Sequence, residues 1–328
     1  MHKISDQLDF SRICNILTCD DSEMADYYDI ADKITKETKG KIVNVRAIVE
    51  FSNYCKRNCA YCGINCLNTN AERYRMSPEE IVEVSLEAAD AGYKTVVLQS
   101  GEDSFFTADI LCGIIREIKN KRDIAITLSS GEMSYDDYKS IKEAGCDRYL
   151  LKHETSDIHL YSKLHKGYSF EQREKCLRNL KELGFETGGG FMIGLPGQTV
   201  ETIARDILFI KSIPCDMAGI GPFIPHPETE IALSLPGSTD LTRRAVAVTR
   251  MLLPHINLPA TTSLGVRDKK ERDKVFSGGA NVIMKKVTPP KYREKYEIYP
   301  VKYSEIKSVK EERDEINELL KSIGKEWD

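Results

Sequence analysis

Short apolar runs rich in β-branched residues alternate with segments of helical period along most of this chain. Each run predicts a buried strand, and the runs are Ile42–Phe51, Thr95–Gln99, Ile124–Leu128, Arg148–Leu151, Thr187–Ile193, Met217–Gly221, Asn257–Thr261 and Ala280–Met284. Alternation of strands and helices is typical of an α/β protein with a parallel sheet. Eight strands in 328 residues predict a (β/α)8 TIM-type barrel, with a doubly wound open sheet as the alternative.

Capping and stop signals delimit four helices between these runs. The clearest is Pro78–Ala91, where Ser77 precedes a proline, Glu80 completes a capping box and Gly92 follows. The others cover about Ser134–Ala144, Phe170–Leu183 and Thr199–Ile213, and each ends just before a glycine or a proline. We expect the barrel over residues 41–300, a helical N-terminal lead over residues 1–40 and a C-terminal helix over residues 301–328.

Composition and charge mainly exclude classes of function. The chain is 41% hydrophobic and 30% charged, which is ordinary for a globular protein. Its net charge of −4 gives no basic excess, so nucleic acid is not an expected partner. No apolar run approaches the ~18 residues that a membrane span needs. The N-terminal residues lack a basic segment followed by an apolar one, so we expect a cytoplasmic protein.

Ten cysteines are the unusual feature of the composition, and four of them lie within twelve residues. Cys55, Cys59 and Cys62 form a C-x3-C-x2-C motif directly after the first predicted strand, and Cys66 follows. One loop can wrap three such thiolates around one metal centre. They would form a zinc site with Cys66 as the fourth ligand, or bind a [4Fe–4S] cluster whose fourth iron stays open. A simple electron-transfer iron–sulfur protein would need four cysteines.

The triad, with Tyr61 before its last cysteine, resembles the signature of the radical S-adenosylmethionine (SAM) enzymes. The resemblance implies that Cys55, Cys59 and Cys62 bind a [4Fe–4S] cluster whose open iron chelates SAM. It also implies that the reduced cluster cleaves SAM to methionine and a 5′-deoxyadenosyl radical, without Cys66. In a barrel, the loop after the first strand opens at the C-terminal face, where active sites lie. The motif and the predicted fold therefore agree.

The same resemblance implies SAM contacts at the ends of other predicted strands. The implied SAM-binding residues are Tyr61, Ser100, Gly101, Glu102, Glu154, Arg173, Met192 and Leu195. Ser100–Asp103 matches the segment that binds the SAM amino group, and Glu154 matches the acceptor of the ribose hydroxyls. Arg173 matches an arginine that binds the SAM carboxylate, and Gly188–Gln198 resembles the adenine-binding segment. Taken without the triad, Ser100–Asp103 and Gly188–Gln198 would be ordinary turns, and the alternative for Arg173 is a solvated helix arginine.

Further segments narrow the resemblance to the HydE family of [FeFe]-hydrogenase maturases. They are Arg46–Asn53, Arg73–Glu80, Val97–Asp103, His153–Thr155, Gly219–Pro227, Pro259–Thr262 and Gly279–Met284. The resemblance implies a small iron-complex substrate that carries carbonyl, cyanide and cysteine, for assembly of the hydrogenase di-iron subcluster. It implies a reduced ferredoxin or flavodoxin as electron donor, and other hydrogenase maturases as partners. Biotin synthase and methylornithine synthase are related alternatives, but both differ from this chain at His153–Thr155.

Two departures from the HydE pattern bear on the chemistry. Many HydE sequences carry a second cysteine set near the C-terminus, whereas no cysteine follows Cys215 here, so a second cluster is not expected. Lys152 stands where the family is expected to have arginine. An anion in the cavity would then not meet the bidentate fork that arginine offers.

The substrate cavity is expected inside the barrel, at the ends of the strands. Its predicted lining residues are Thr127, Lys152, His153, Thr261, Thr262 and Tyr292. Tyr292 is expected to reach over the mouth of the barrel. For His153, a structural role in the core is the equal alternative, and threonines are common in strands whether or not a ligand is present.

Overall fold

A nearly closed barrel of eight parallel strands forms the centre of the computed structural model, which describes residues 2–300 and 309–328. The strands are β1 (Ile42–Ser52), β2 (Thr95–Ser100), β3 (Ala125–Ser129), β4 (Arg148–Leu150), β5 (Glu186–Ile193), β6 (Met217–Pro222), β7 (Pro259–Ala260) and β8 (Val282–Lys286). Their hydrogen-bonded order is β6-β5-β4-β3-β2-β1-β8-β7. The predicted TIM-type barrel is therefore confirmed, with all eight predicted strands present.

The barrel closes through a narrow seam between β6 and β7. A single parallel bridge joins Met217 to Asn257, just before β7. Ala218 N donates to Asn257 O at 3.0 Å, and Asn257 N donates to Asp216 O at 2.9 Å. A short ninth strand, β9 (Glu326–Trp327), pairs with the start of β1 outside this circuit. These contacts exclude the open doubly wound sheet.

Helices surround the barrel, and side-chain caps begin most of the longer ones. They are α1 (His2–Ser5), α2 (Phe10–Thr18), α3 (Asp21–Lys39), α4 (Pro78–Asp90), α5 (Ala108–Lys121), α6 (Tyr135–Glu143), α7 (Ile158–Leu164), α8 (Phe170–Glu182), α9 (Val200–Ser212), α10 (Thr239–Leu252), α11 (Thr262–Arg267), α12 (Lys269–Lys274), α13 (Pro290–Arg293) and α14 (Val309–Ser322). The capping box predicted for α4 is present, since Glu80 N donates to Ser77 Oγ at 3.2 Å and Ser77 N to Glu80 Oε2 at 2.9 Å.

The terminal helices pack on the outside of the barrel. Among the first three helices, α2 lies against α9 and α3 against α10, and Ile13 and Ile16 are buried in the main core. Arg244 of α10 donates to Cys19 O at 2.6 Å. Of the predicted C-terminal helix, residues 301–308 lie outside the described residues, and α14 follows them. Within residues 2–300 and 309–328, none of the helices combines the length and hydropathy needed to cross a bilayer.

Alternation along the strands separates an apolar outer layer from a polar interior. On β1, Val45 and Val49 are fully buried in the core between sheet and helices. Arg46 and Glu50 face the interior, where Arg46 NH1 lies 2.8 Å from the sulfur of Met217 on β6. Successive side chains of a strand point to opposite faces, so the positions between the apolar ones line the barrel. This interior opens toward the carboxyl ends of the strands.

Candidate active site

The cysteine triad lies on the loop that follows β1, and neighbouring loops hold this segment by backbone hydrogen bonds. Lys56 N donates to Glu102 O at 2.9 Å, which joins the loop to the end of β2. Gly63 N donates to Ile298 O at 3.0 Å, which joins it to the segment after α13. The triad is therefore fixed at the carboxyl ends of the strands, as the sequence predicts.

The surroundings of the three sulfurs suit a thiolate-bound cluster. Cys55 Sγ accepts hydrogen bonds from Arg57 N and Glu102 N, both at 3.4 Å. Burial, together with the charge of Cys55, raises the pKa of the Cys59 thiol to about 12, and burial raises the pKa of Cys62 well above its usual value. Deprotonation is thus coupled to the arrival of a metal centre. Thiolate donors and N–H···S bonds are the usual environment of an iron–sulfur cluster.

Cys66, the candidate fourth ligand of a zinc site, differs from the triad in its exposure. The triad cysteines are half-buried, whereas Cys66 is exposed and its N–H donates to Arg57 O at 2.8 Å. Across the described residues, no three or more His, Cys, Asp or Glu side chains are gathered around the position of a single ion. Three cysteines of one loop match the three protein ligands of a [4Fe–4S] cluster with one open iron.

A ring of four buried charges joins the cysteine loop to three other segments. Arg57 Nε lies 2.5 Å from Glu102 Oε2, and Arg57 NH2 lies 2.9 Å from Glu132 Oε2. Arg173 of α8 completes the ring, at 2.6 Å from Glu132 and 4.0 Å from Glu102. Although burial acts to raise it, the two arginines hold the pKa of Glu132 below its usual value. The ring braces the loops after β1, β2 and β3 against α8.

This ring changes the interpretation of two predicted SAM contacts. The carboxylate of Glu102 accepts from Arg57 Nε and, at 3.1 Å, from Glu132 N, so each of its oxygens has a partner within the protein. Arg173 donates through NH1 to Lys152 O at 2.6 Å and through Nε to Glu132. The Glu102 side chain is thus engaged within the ring, and the implied contact of Ser100–Asp103 with the SAM amino group, largely through backbone carbonyls, stays a prediction. Sequence reasoning missed Arg57 and Glu132 because their partners are distant along the chain.

Ser100 and Gly101 lie directly against the cysteine loop. Ser100 Oγ donates to Gly101 O at 2.7 Å, and Gly101 N donates to Ser52 O at 3.0 Å. A Cβ atom on Gly101 would overlap Tyr54 O and lie 2.8 Å from Cys55 Cβ. Only glycine allows the β2 loop to approach the triad this closely.

Lys152 and Glu154 form an ion pair at the end of β4, with 2.9 Å between Nζ and Oε2. Glu154 has a φ of +64°, in the left-handed region that side chains other than glycine rarely adopt. Strand β5 holds it there, since Glu154 N donates to Gly190 O at 3.0 Å and Met192 N donates to Glu154 O at 3.1 Å. Strained backbone of this kind costs about 1–3 kcal/mol and is concentrated at functional sites.

His153 was expected either in the substrate cavity or in the core as a structural residue. Its side chain does not lie in the barrel interior. Its ring is fully buried between the sheet and α9, with Phe209 at 4.8 Å between ring centroids and Asp206 at 3.7 Å from Nε2. Side chains alternate along a strand, so His153 points away from the face that carries Lys152. It is a core residue, and its predicted place in the substrate cavity is wrong.

A small hydrophobic cluster, separate from the main core, lies beside the triad. Its buried members are Ala60, Leu160, Leu164, Leu195 and Phe223, with Tyr61, Met192 and Ile231 packed against them. Three predicted SAM contacts, Tyr61, Met192 and Leu195, are thus brought together. The pKa of Tyr61 is raised by burial and further by neighbouring charges that include Glu154. Sequence reasoning missed Leu160 and Leu164, whose spacing of four residues on α7 was the available signal.

Thr127 and Lys152 lie on the interior side of the barrel, whereas Thr261 and Thr262 follow β7 at the start of α11. Thr127 is fully buried, and its hydroxyl has no partner among the described residues. Lys152 extends past β6, where a Cβ on Gly219 would lie 3.7 Å from Lys152 Cε. Thr261 follows β7, with its hydroxyl 3.3 Å from Ser263 Oγ, and Thr262 begins α11. A buried hydroxyl without a partner is the kind of group that a bound ligand satisfies.

Tyr292 does not reach over the mouth of the barrel. Its hydroxyl donates to the carboxylate of Glu80, with both oxygens at 3.0 Å, and its ring stacks on Tyr74 at 4.8 Å. Glu80 is the capping residue of α4, on the outer layer, and it also pairs with Lys291 at 2.6 Å. The predicted cavity position of Tyr292 is wrong, because a carboxylate that caps α4 holds its hydroxyl outside.

Comparison with known proteins agrees with this geometry. Residues 49–210 match the model of the radical SAM superfamily, a range that includes the cysteine motif and extends into α9. The chain is 50% identical to the [FeFe]-hydrogenase maturase subunit HydE of Thermotoga maritima, over 84% of this chain and 79% of HydE. It is 30% identical to the 3-methylornithine synthase of Methanosarcina acetivorans, over 80% of this chain and 75% of that enzyme.

The solved structure of a methylornithine synthase (PylB) shows the same fold. The two structures superpose with a TM-score of 0.86 at 23% sequence identity, covering all of this chain and 96% of the other. At 23% identity, this similarity shows that the two proteins share a fold and no more than that.

Proposed function

This chain belongs to the radical SAM superfamily, as a HydE-like enzyme with a [4Fe–4S] cluster and SAM as its cofactors, and from that premise we propose that it is an [FeFe]-hydrogenase maturase. Its task would be to process a small iron-complex precursor during assembly of the hydrogenase di-iron subcluster. The observation that carries this proposal is the 50% identity to HydE along 84% of the chain. The geometry also supports this proposal, since the cysteine triad, Glu154 and the small hydrophobic cluster are three separate groups that could each contact a different part of SAM.

We assign the SAM site to the space between the triad, the end of β4 and the small hydrophobic cluster. The [4Fe–4S] cluster, when bound, supplies the electron that cleaves SAM into methionine and a 5′-deoxyadenosyl radical. Cys55, Cys59 and Cys62 hold it, and Glu154 would accept hydrogen bonds from the ribose hydroxyls. Tyr61 and the apolar side chains around it would cover the adenine and exclude water, which the chemistry of a carbon radical requires.

The barrel interior has the charges for a small anionic or metal-bound substrate. Lys152 lies on the interior face of β4, and Lys286 pairs with Glu50 at 2.8 Å. Arg46 is 3% exposed, and its Nε has no hydrogen-bond partner among the described residues. Together with Thr127, these groups support a small anionic substrate, and its sulfur and metal content follow from the proposed maturase role alone.

Reduction would come from a partner protein of the ferredoxin or flavodoxin type, and the product would pass to other hydrogenase maturases. Both expectations follow from the proposed maturase role.

Complementation tests the function directly. The protein replaces HydE in an otherwise complete maturation system, and hydrogen evolution by the matured hydrogenase is measured against a Cys59→Ala control. We expect activity with the unaltered chain and none with the variant. If SAM is cleaved to 5′-deoxyadenosine but no active hydrogenase forms, the maturase proposal fails while the radical SAM chemistry stands. A parallel assay for the formation of 3-methylornithine tests the related alternative.

A further inference from the structure

Asp206 is a fully buried carboxylate on α9 that the proposed mechanism does not use. It lies on the face of α9 that packs inward, where the other buried side chains are uncharged, namely Thr202, Ile203, Ala204, Ile207 and Ile210. A carboxylate is costly to bury unless hydrogen bonds compensate it. The groups that compensate Asp206 therefore indicate its role.

These groups lie on the segment that carries Glu154, at the end of β4. Ser156 donates to Asp206 Oδ1 through its backbone N and through Oγ, the latter at 2.7 Å. His153 Nε2 lies 3.7 Å from the same oxygen. One carboxylate on a neighbouring helix thus contacts the residue before Glu154 and the residue two positions after it.

The surroundings of His153 turn its ring toward Asp206. Gly190 N donates to His153 Nδ1 at 3.4 Å, so the neutral ring carries its proton on Nε2, the atom that faces the carboxylate. Phe209 and Phe191 flank the imidazole, at 4.8 and 5.8 Å between ring centroids. His153 Nε2 and Asp206 Oδ2 are fully buried, and neither has a hydrogen-bond partner among the described residues. Because such groups are costly to bury alone, this donor and this carboxylate favour staying beside each other.

The backbone at Glu154 needs support on both sides, because its φ of +64° lies in the left-handed region. Strained conformations of this kind persist only where the surrounding structure fixes them. On the side of the sheet, β5 holds Glu154 by the two backbone hydrogen bonds with Gly190 and Met192. On the side of the helices, Asp206 holds the flanking residues. The position from which the Glu154 carboxylate extends is therefore fixed by both.

We propose that Asp206 is a positioning residue for SAM, whose carboxylate holds His153 and Ser156 and thereby keeps Glu154 where it meets the ribose hydroxyls. Asp206 is buried between sheet and helix, so it acts through Glu154 and not by contact with SAM. Without it, the turn is expected to relax toward a negative φ and to carry the Glu154 carboxylate out of place. The inference rests on the proposed assignment of Glu154 to the SAM ribose.

Calorimetry on cluster-loaded protein tests this by comparing SAM with an analogue that lacks both ribose hydroxyls. For Asp206→Ala we expect the Kd for SAM to rise about tenfold, as when a charge-assisted hydrogen bond is lost, and the Kd for the analogue to stay within about twofold. Asp206→Asn keeps an oxygen at the position of Oδ1, so we expect it to retain the preference for SAM. Ile210→Val, one turn further along the buried face of α9, is the matched control for loosened packing and should also retain it.

The double variant Asp206→Ala/Glu154→Gln separates positioning from a general loss of stability. If Asp206 acts through Glu154, this variant binds SAM no more weakly than Glu154→Gln alone. Additive losses, or equal weakening for SAM and the analogue in Asp206→Ala, would overturn the inference. Should Asp206→Ala fail to fold, Ser156→Ala removes one of the hydrogen bonds and should lose part of the preference, and an unchanged preference would overturn the inference.

Glu154→Gln distinguishes failure of the inference from failure of its premise. If this variant retains the preference for SAM over the analogue, Glu154 does not bind the ribose, and the SAM assignment fails together with the inference. If it loses the preference while Asp206→Ala keeps it, the inference alone fails. The complementation assay for the maturase is independent of both results.

Discussion

The ammonium of Lys152 lies 2.9 Å from Oε2 of Glu154, the carboxylate that we assign to the SAM ribose. Residues two apart in an extended segment point to the same side, so Glu154 lies on the face that carries Lys152, and its backbone there has a φ of +64°. Lys152 thereby occupies one carboxylate oxygen and leaves the other for a ribose hydroxyl. The ion pair orients Glu154 before SAM arrives and places a cation beside the substrate chamber.

Replacing Glu154 should separate its role in binding from its cost in folding. We expect Glu154→Gln to weaken SAM binding by about 1–3 kcal/mol, because a charge-assisted hydrogen bond is lost. Glu154→Gly should weaken binding at least as much, while its free energy of unfolding does not fall, since glycine adopts a positive φ without strain. Calorimetry with SAM and urea unfolding measure the two effects. Undiminished affinity in both variants would contradict the assignment.

The triad and Cys66 should respond differently to substitution. We expect anaerobically reconstituted protein to bind about four irons per chain, the content of one [4Fe–4S] cluster. Alanine at Cys55, Cys59 or Cys62 should abolish this, whereas Cys66→Ser should retain it because Cys66 is exposed. Iron and sulfide analysis check the prediction. About eight irons would indicate a second cluster, and loss of iron in Cys66→Ser would contradict the ligand assignment.

Gly101 should be required for the cysteine loop to close on β2. In Gly101→Ala, the new Cβ would overlap Tyr54 O and press on Cys55 Cβ at 2.8 Å, so we expect the loop to shift and iron incorporation to fall. Gly113 in α5 is the matched control, since nothing lies within 4 Å of the added Cβ. Gly113→Ala should keep its iron and gain about 0.5–1 kcal/mol of stability, as alanine favours a helix interior. Equal iron contents would contradict the close-approach argument.

The buried ring of charges should make stability depend on Glu132. We expect Glu132→Gln to lose about 3–5 kcal/mol of unfolding free energy, because Arg57 and Arg173 lose a buried partner. The exposed pair Lys166–Glu230 is the control, and Glu230→Gln should cost about 1 kcal/mol or less. Urea unfolding at neutral pH compares the two variants with the unaltered protein. A Glu132→Gln value close to that of Glu230→Gln would show that the ring contributes little.

The same carboxylate predicts a pH dependence of stability. Burial acts to raise the pKa of Glu132, but Arg173 and Arg57 outweigh it, so the folded-state pKa lies below the ordinary value of 4.5. A carboxyl with a depressed pKa stabilises the folded protein above about pH 4.5, and this contribution is lost as pH falls through the folded pKa. We therefore expect the difference in unfolding free energy between the unaltered protein and Glu132→Gln to shrink between pH 6 and about pH 3. A constant difference would contradict the shift.

The fold was predictable because its signals are local. The eight apolar runs correspond to the eight barrel strands within about two residues at most ends, and the capping box at Ser77 and Glu80 begins α4 as expected. Helix α5 was not predicted, although Thr107 caps it, and β9 is too short to show a pattern. Strand β9 depends on pairing with β1, which is distant in sequence, whereas the signals for α5 were local and were not used.

The site could be predicted where the type and spacing of residues identify the chemistry. It was harder to predict where the role of a residue depends on which side chain it contacts in the folded protein. The triad could be found from spacing, and Tyr61, Met192 and Leu195 do meet in one cluster. His153 was misplaced because the alternation of β4 was not applied to it. The partners of Arg57 and the contacts of Asp206 depend on long-range geometry that no motif records.

The order of the strands has a consequence for how the chain folds during its synthesis. Strands β1 to β6 each pair with the next in sequence, so they can assemble as the chain emerges, whereas β8 returns to β1 with contacts 238 residues apart. All three triad cysteines and the assigned SAM contacts precede residue 200, ahead of the strands that close the barrel. The nascent chain therefore carries its cofactor loop on an open sheet, with the edges of β1 and β6 unpaired. Such edges recruit other chains, so aggregation of the overproduced protein should begin at them rather than at the cysteine loop.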